Sequence, residues 1–577
     1  MRTVISDFFD ALNREETKLV PRLASDRLGV YLKCALSELD LAYYHFTREG
    51  EADVYEEERF HILQLGVARL VFLALASRPS FDAPVVTFRR SAALSKEVVA
   101  ISLALGMIQH GRRIAQYIAL GVGEISKNDQ GVFSIKLPER LIDNSGHERA
   151  SLELFILQSR QRFASLMQTK SFRKLEEQVE EKLSELVYPW EDHFIGYDAD
   201  PLLDDYFFGL AYHNMQLQEG FDTFHFALKF GGVCYQNYVL ALTFLMSNYI
   251  RHQRFAEALI RKNESTKLEN VLTITSDTDP FIADLLEAVN YFGKAFKSFE
   301  ELGEEEAKTV FSVLSYGRHS LDLGSAPGAP LPPIVQCSDQ GFIRCITGAR
   351  SEPMRFLLEA LRHHFPLDYD RNQRSREGSF QRAIKRILGE AFSKLEFRDN
   401  LKAKVNGKLL TDIDLVVVEK TTGVVLLCQL KWQDVYGFNF HAERVRGERL
   451  VDQAEDWLVA VDTWLKQVGV DGLRGNLRLG DDFPVLNIHR LVIAKHFAHQ
   501  LKDTSLNHGA LYATWAQLLL ATEVVSRDHV QPGLVDLINQ VREIPVIQST
   551  YEHQHEEKAV WKVGDIVFET FQAESFG

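Results

Sequence analysis

The sequence predicts a multidomain chain, an α-helical N-terminal domain followed by an α/β domain with a mixed central sheet. Three observations predict it. Apolar residues recur at three-to-four spacing from the start to about Leu323. A proline-rich stretch, Gly324–Pro333, then interrupts the pattern, and proline at that density excludes both helix and central strand. From residue 371 onward the texture changes to helix, strand pair, helix, strand and helix, the alternation of a domain that buries a sheet between helices.

Taken in order, Phe8, Leu12, Leu19 and Leu23 open the helical pattern. Leu152–Met167, Phe172–Leu186, Asn237–Ile260 and Phe281–Leu302 continue it, punctuated by Pro79, Pro84, Pro189, Pro201 and Pro280. Ala83–Phe88 and Gly131–Leu137 read as short β pieces inside this helical region of residues 1–323, which is assigned recognition, regulation or oligomerisation. Residues 324–333 read as a linker or extended crossing. Ile334–Ile346 reads as a small hairpin turning near Asp339 to Gly341, and Met354–Phe365 as a short helix, so 334–370 is a hairpin plus helix. Residues 371–577 form the last domain.

Composition narrows the function classes. The 577 residues are 46% hydrophobic and 25% charged, values of a globular protein rather than a disordered or collagenous one. Net charge is −15, so overall basicity does not announce a nucleic-acid binder. The charge is uneven: residues 1–370 carry 39 basic and 52 acidic side chains (−13), residues 371–577 carry 26 and 28 (−2), and residues 371–410 carry 11 and 4 (+7). A polyanion partner belongs near that last stretch. Five scattered cysteines point to reduced thiols and a cytoplasmic setting. The apolar-rich runs Val98–Ile108 and Tyr238–Met246 fall short of the roughly 20 residues of a membrane span, so no membrane is expected. Gly121-Val-Gly123 lacks the third glycine of a dinucleotide site, and no P-loop pattern occurs.

The chemistry concentrates in Thr411–Trp432. Two β-rich runs flank Lys420-Thr-Thr-Gly423, a four-residue hairpin loop in which Gly423 supplies positive φ. If the loop closes symmetrically, facing positions sum to 843, which sets Asp414 opposite Gln429 and Asp412 opposite Lys431. Alternation then places these four on one face, with Ile413, Leu415 and Val417 against Leu430, Cys428 and Leu426 on the other. Two carboxylates, an amide and an ammonium above an apolar floor suit metal-assisted phosphodiester hydrolysis. Asp414 is a hard oxygen ligand for Mg²⁺ or Mn²⁺, and the Gln429 side-chain oxygen and Leu430 carbonyl can complete the protein ligands. Lys431 can orient the attacking water or stabilise charge on the phosphate. A solvated Asp/Lys face on a surface hairpin has the same residue types.

Asp-x(14)-Gln-x-Lys in this strand–turn–strand setting resembles the PD-(D/E)XK nuclease superfamily, nearest the restriction-endonuclease-like branch with Mrr-type and NERD-type nucleases. The resemblance covers about residues 374–525 and implies a restriction-endonuclease-like α/β fold. It also implies a preceding helix that brings a Glu to the metal. Arg376–Leu388 occupies that place, where one alignment puts the residue at Glu377, which is favoured, and another at Gln381, kept as supporting. Asp412 is also supporting, as is Gln453 on the amphipathic helix Glu443–Val468, the match for a Gln that faces the site in similar nucleases. Val485–Ala494 and Ala510–Ala521 suit the later strands. Arg374, Arg376, Arg382 and Lys385 before the hairpin, with Arg446 and Arg449 after it, can contact a phosphate backbone. The family implies a metal-dependent DNA endonuclease of a restriction or antiviral-defence type. Because Gln429 stands where the family most often has Glu or Asp, the alternative is an inactive nuclease fold acting as a nucleic-acid-binding or assembly subunit; a homo-oligomer or a partner protein is expected through the N-terminal helical domain.

Overall fold

The computed structural model describes residues 3–23, 28–48, 54–77, 89–119, 123–138, 161, 163–165, 167–191, 194–219, 224–338, 340–433, 440–480, 483, 487–543 and 558–573. Ala83–Phe88, residues 121–122 of the Gly121-Val-Gly123 run, and most of Leu152–Met167 lie outside them. The N-terminal part is helical: α1 (Val4–Leu23), α2 (Leu28–Arg48), α3 (Val54–Ser77), α4 (Ala92–Ala119), α5 (Lys170–Leu186), α6 (Pro201–Glu219), α7 (Tyr235–Lys262), α8 (Thr278–Gly293) and α9 (Glu304–Leu314). Helix α8 stops nine residues before the expected Leu302. The Phe299 ring folds back so closely over Gly293 that a Cβ there would lie 2.2 Å from it, and only glycine accepts that return.

Short strands trim this lobe. The pairs β1 (Glu124–Lys127) with β2 (Phe133–Pro138), β3 (Val187–Trp190) with β4 (Phe194–Tyr197), and β5 (Lys229–Phe230) with β6 (Val233–Cys234) are antiparallel. A four-stranded sheet runs β7–β10–β9–β8, built from β7 (Thr275–Asp277), β8 (Ser315–Tyr316), β9 (Ile334–Gln336) and β10 (Gly341–Arg344). The expected hairpin at 334–346 is therefore present, but as part of the helical lobe. The proline-rich stretch ahead of it is not a free linker. Leu331 and Ile334 are buried in the same core as Leu23 and Tyr369, and the Pro333 carbonyl accepts from Tyr249 Oη at 2.6 Å and from the Cys345 amide at 3.0 Å. Prolines without N–H groups can cross a core because they leave fewer backbone donors to satisfy.

Helices α3 and α4 correct the expectation about apolar length. Glu58–Ser77 and Ala92–Ala119 are long and apolar enough to cross a membrane by length and composition, with mean hydropathies of 1.7 and 1.4. Core helices pass the same test, and Val67, Leu70, Val71, Val98, Ile101 and Leu105 of this pair are buried in the helical core. The two helices touch backbone to backbone: a Cβ at Gly66 would lie 1.7 Å from the Ser102 carbonyl oxygen, and one at Gly106 would lie 1.9 Å from that of Ile62. Gly66→Ala must push them apart and is expected to cost about 2 kcal/mol. The check is a lower urea midpoint with an unchanged slope.

The C-terminal part opens with α10 (Pro353–His364) and α11 (Pro366–Ala391), followed by a five-stranded sheet in the order β11–β12–β13–β14–β15. Its strands are Leu395–Val405, Lys408–Glu419, Val424–Lys431, Asn487–Ala494 and Leu511–Thr514. The first three are antiparallel neighbours, and β14 and β15 run parallel to β13. Helix α12 (Phe440–Leu477), kinked at Gly469, covers one face through Leu450, Trp457, Leu458, Val461 and Trp464. Helices α11, α13 (Trp515–Asp528) and α14 (Leu534–Glu543) cover the other through Phe380, Ile384, Leu388, Leu518 and Ile538. The mixed sheet between helices is thus present. Its own core ends with α14. The last strands, β16 (Lys558–Val563) and β17 (Ile566–Ala573), return to the N-terminal part, where β17 pairs parallel with β2 and Phe568 packs on Phe8. The expected domain of 371–577 therefore gives up its last strands to the helical lobe.

Candidate active site on the central hairpin

Hairpin β12–β13 has the expected register. Leu415↔Cys428 through Glu419↔Val424 all sum to 843, and Gly423 takes φ 70° to close the loop on the Glu419 carbonyl. The ladder stops at Leu415↔Cys428, one position short of Asp414. There the Asp414 carboxylate replaces the missing backbone acceptor: its Oδ2 takes the Leu430 amide at 2.7 Å and the Gln429 Nε2 at 2.5 Å.

The cause lies in the neighbouring ribbon. On β11 and β12 the pairs Asp399↔Leu415 and Leu401↔Ile413 leave Asn400 and Asp414 facing each other without pairing, and Asn400 adopts φ 50°. Asparagine tolerates that left-handed geometry. Across this point the ribbon turns over. Phe397, Leu415 and Val417 pack toward α11, whereas Leu401, Ala403 and Ile413 pack toward α12. Ile413 therefore leaves the floor expected for it beside Leu415.

Asp412 is carried away with it. Its register partner is Lys402 rather than Lys431, its Oδ2 pairs with Lys402 Nζ at 2.5 Å, and its carbonyl accepts Trp457 Nε1 at 2.9 Å. It reaches Asp414 as a distant negative field only.

Helix α11 supplies the rest. Gln381 is buried and its amide donates to the Asp414 backbone carbonyl, locking the strand at the point where pairing is lost. Glu377, exposed one turn earlier, acts electrostatically on both Asp414 and Lys431. Glu377 thus adds negative charge beside Asp414, and Gln381 holds its backbone carbonyl. Burial pushes the Asp414 carboxyl up to about 6; the Leu430 amide opposes this, the Glu377 charge adds to it, and Lys431 relieves part of it. Burial likewise lowers the Lys431 ammonium, against the pull of Asp414 and Glu377. Among the described residues no ion pair engages Lys431, so its charge is available to an incoming anion. The Leu430 side chain lies in the core beneath, and its amide anchors Asp414.

Gln453 is exposed on α12, one turn before Trp457, and no described hydrogen bond or ion pair brings it to Asp414 or Lys431. The phosphate-contact set divides. Arg446 and Arg449 are exposed on α12, and Arg382 is exposed on α11. The Arg374 side chain lies outside the described residues. Lys385 is tied to Asp399 at 2.6 Å and clamps α11 to β11. Arg376 corrects its assignment outright. It is 0% exposed, with its guanidinium 4.1 Å from the Phe224 ring, 4.6 Å from Trp432 and 5.4 Å from Tyr369, and no phosphate can reach it there. Lys404 and Lys408 of the same basic stretch are exposed around Asn406-Gly407, whose φ values of 49° and 80° make a tight turn that the Asn-Gly pair announces.

Among the described residues no group of three His, Cys, Asp or Glu side chains is placed to hold a metal ion, so any cation here would depend on few protein donors. Asp414, Glu377 and the Gln429 side-chain oxygen are hard ligands, and the raised Asp414 carboxyl marks a desolvated charge short of positive compensation. Comparison with protein-family models, with curated proteins and with solved structures finds no match to this chain.

Proposed function

We propose that the C-terminal part is a metal-dependent nuclease of the PD-(D/E)XK kind, acting on DNA as an endonuclease in a restriction or antiviral-defence setting. The observation that carries this reading is the meeting of Asp414, Gln429, Lys431 and Glu377 where the β12–β13 ladder opens. The helix, three antiparallel strands, helix and two parallel strands around it support the same reading.

Asp414, Gln429, Glu377 and the Leu430 carbonyl would hold Mg²⁺ or Mn²⁺, which when bound polarises a phosphoryl oxygen and acidifies a water. The protein's own part is placement. The Leu430 amide and Gln381 fix Asp414 at both its carboxylate and its carbonyl. Lys431, partly desolvated, supplies a cation to the charge that develops on the phosphate and a donor to orient the attacking water. Arg446, Arg449, Lys404 and Lys408 supply phosphate contacts at the periphery, where affinity falls with salt.

The test is incubation with plasmid, single-stranded DNA and RNA, each with Mg²⁺, Mn²⁺ or EDTA. Metal-dependent breakage of DNA is expected. Lys431→Ala is expected to lower the rate about a hundredfold while DNA affinity stays within about twofold. Equal cleavage by wild type and variant would remove Lys431 from the chemistry. A second reading has its own observation, the neutral Gln429 amide donating to Asp414: an inactive nuclease fold that binds DNA or joins an assembly. Tight DNA binding with no breakage under either metal decides for it.

A further inference from the structure

Beyond Asp414 the β11–β12 ribbon leaves the central sheet. Strand β13 pairs with β12 only from Glu419 to Leu415, whereas β11 follows β12 out to Val405↔Lys408. Residues 400–414 are therefore a two-stranded arm that starts at the candidate site and ends at the Asn406-Gly407 turn. At about 3.3 Å per residue, the stretch from Asp414 to the turn spans on the order of 23 Å.

The arm is braced on one side only. Ala403 and Ile413 are fully buried against α12, with Leu401, Val405 and Leu410 packed beside them. A register shift at Ala403/Lys404 marks a bulge, which tightens the twist of a ribbon. The other side meets water. Lys404 and Lys408 are exposed, and among the described residues no carboxylate pairs with either. Lys402, on the same strand, is held to Asp412. Leu409 stands across from Lys404 and is 48% exposed, an apolar residue at a cationic tip. From 401 to 411 the sequence holds three lysines, no carboxylate and no aromatic ring.

These properties narrow the partner. Lysines without carboxylates suit a polyanion. The lack of rings disfavours a single strand, whose bases need aromatic platforms to stack on. A two-stranded ribbon fits the major groove of B-form DNA, about 12 Å wide, where an apolar side chain meets thymine methyls. The major groove of A-form RNA is too deep and narrow to be read. We propose that the arm of residues 400–414 is a wing that enters the major groove of duplex DNA and makes the B-form double helix the substrate of the Asp414 site. The substrate role rests on the nuclease reading; the groove contact does not.

The test is fluorescence anisotropy of the full chain in EDTA, which withholds the metal needed for cleavage. Its probes are a DNA duplex of about three helical turns, the same sequence as a single strand, and the same sequence as duplex RNA. The DNA duplex is expected to bind at least about tenfold more tightly than either of the others. The double variant Lys404→Ala with Lys408→Ala should weaken duplex binding about tenfold at about 0.1 M salt and reduce the slope of log K against log salt by about two. Guanine N7 lies in the major groove, so wild type should protect it from dimethyl sulfate and the double variant should not. A urea midpoint equal to that of wild type verifies the fold of the variant. The proposal is overturned by equal affinity for the single strand or the RNA duplex, by an unchanged salt slope in the folded double variant, by guanine N7 left reactive in the wild-type complex, or by no saturation at about 0.1 mM protein. Plasmid breakage in Mg²⁺ separates the two readings. A double variant that binds as wild type does and still cuts removes the wing alone, whereas wild type that binds duplex through the wing and never cuts removes the nuclease alone.

Discussion

Asp414→Asn is expected to abolish metal-dependent cleavage, by about a thousandfold or more, and to make the metal-free protein more stable at pH 7.5. Asparagine keeps an oxygen for the Leu430 amide and the Gln429 side chain but removes the charge that a cation needs. The stability change follows from proton linkage. The folded carboxyl is raised from 3.8 to about 6, so the folded state holds the proton more tightly than the unfolded chain does. Ionising it at neutral pH therefore works against folding, by on the order of 2 kcal/mol for a site that is partly open to water. That cost is absent below about pH 4, grows through the interval up to about 6, and is constant above it. The stability gain of the variant in EDTA should follow the same curve. The measurement is urea unfolding of both proteins at several pH values. A gain that does not vanish in acid, or no gain at all, would separate Asp414 from the desolvated setting described for it. Added Mg²⁺ should stabilise wild type and leave the variant unmoved, because a ligand that binds only the native state raises its stability.

Arg376→Ala is expected to lower stability by about 4 kcal/mol, the largest loss expected for a single side chain here. The guanidinium is fully buried and lies against three aromatic rings. Each ring comes from a different place in the chain: Phe224 from the helical lobe, Tyr369 from the start of α11, and Trp432 from the end of β13. Truncation leaves a cavity between the two parts and strips the rings of their cation. Arg376→Lys should not restore the loss, since a lysine ammonium is more strongly hydrated and lacks the planar face that stacks on a ring. Chemical denaturation provides the measurement, and a loss under about 1 kcal/mol would show that Arg376 is not the rivet between the lobes. A basic residue in a cationic run thus joins the two lobes instead of meeting phosphate.

Much of the site was legible because it is local. The hairpin register depends on a four-residue loop, on the positive φ of Gly423 and on alternation along two strands, all of it within about twenty residues. That is why Asp414, Gln429 and Lys431 could be placed together, whereas Glu377 and Gln381 were named only through the resemblance to a nuclease family. Asp412 was misplaced for an equally local reason of the opposite kind. Alternation assumes an unbroken ladder, and the turnover at Asn400 and Asp414 breaks it. An asparagine in a strand is a weak sign of such a break when read alone.

By itself the sequence determined the succession of helices and strands, the closure of the hairpin and the residue types gathered at its open end, since short-range periodicity and turn chemistry govern each of these. Only the tertiary structure decided which cations meet water. Arg376, Arg382 and Lys385 are alike in the sequence, yet one is covered by rings, one opens on a cavity and one is bound to Asp399. It also decided that the proline-rich stretch is core and that the last strands belong with the first helix. Burial of a side chain is set by whatever packs over it, and the partners here come from distant segments, 84 residues away for Tyr249 and Pro333 and farther for Arg376 on Phe224 and for β17 on β2.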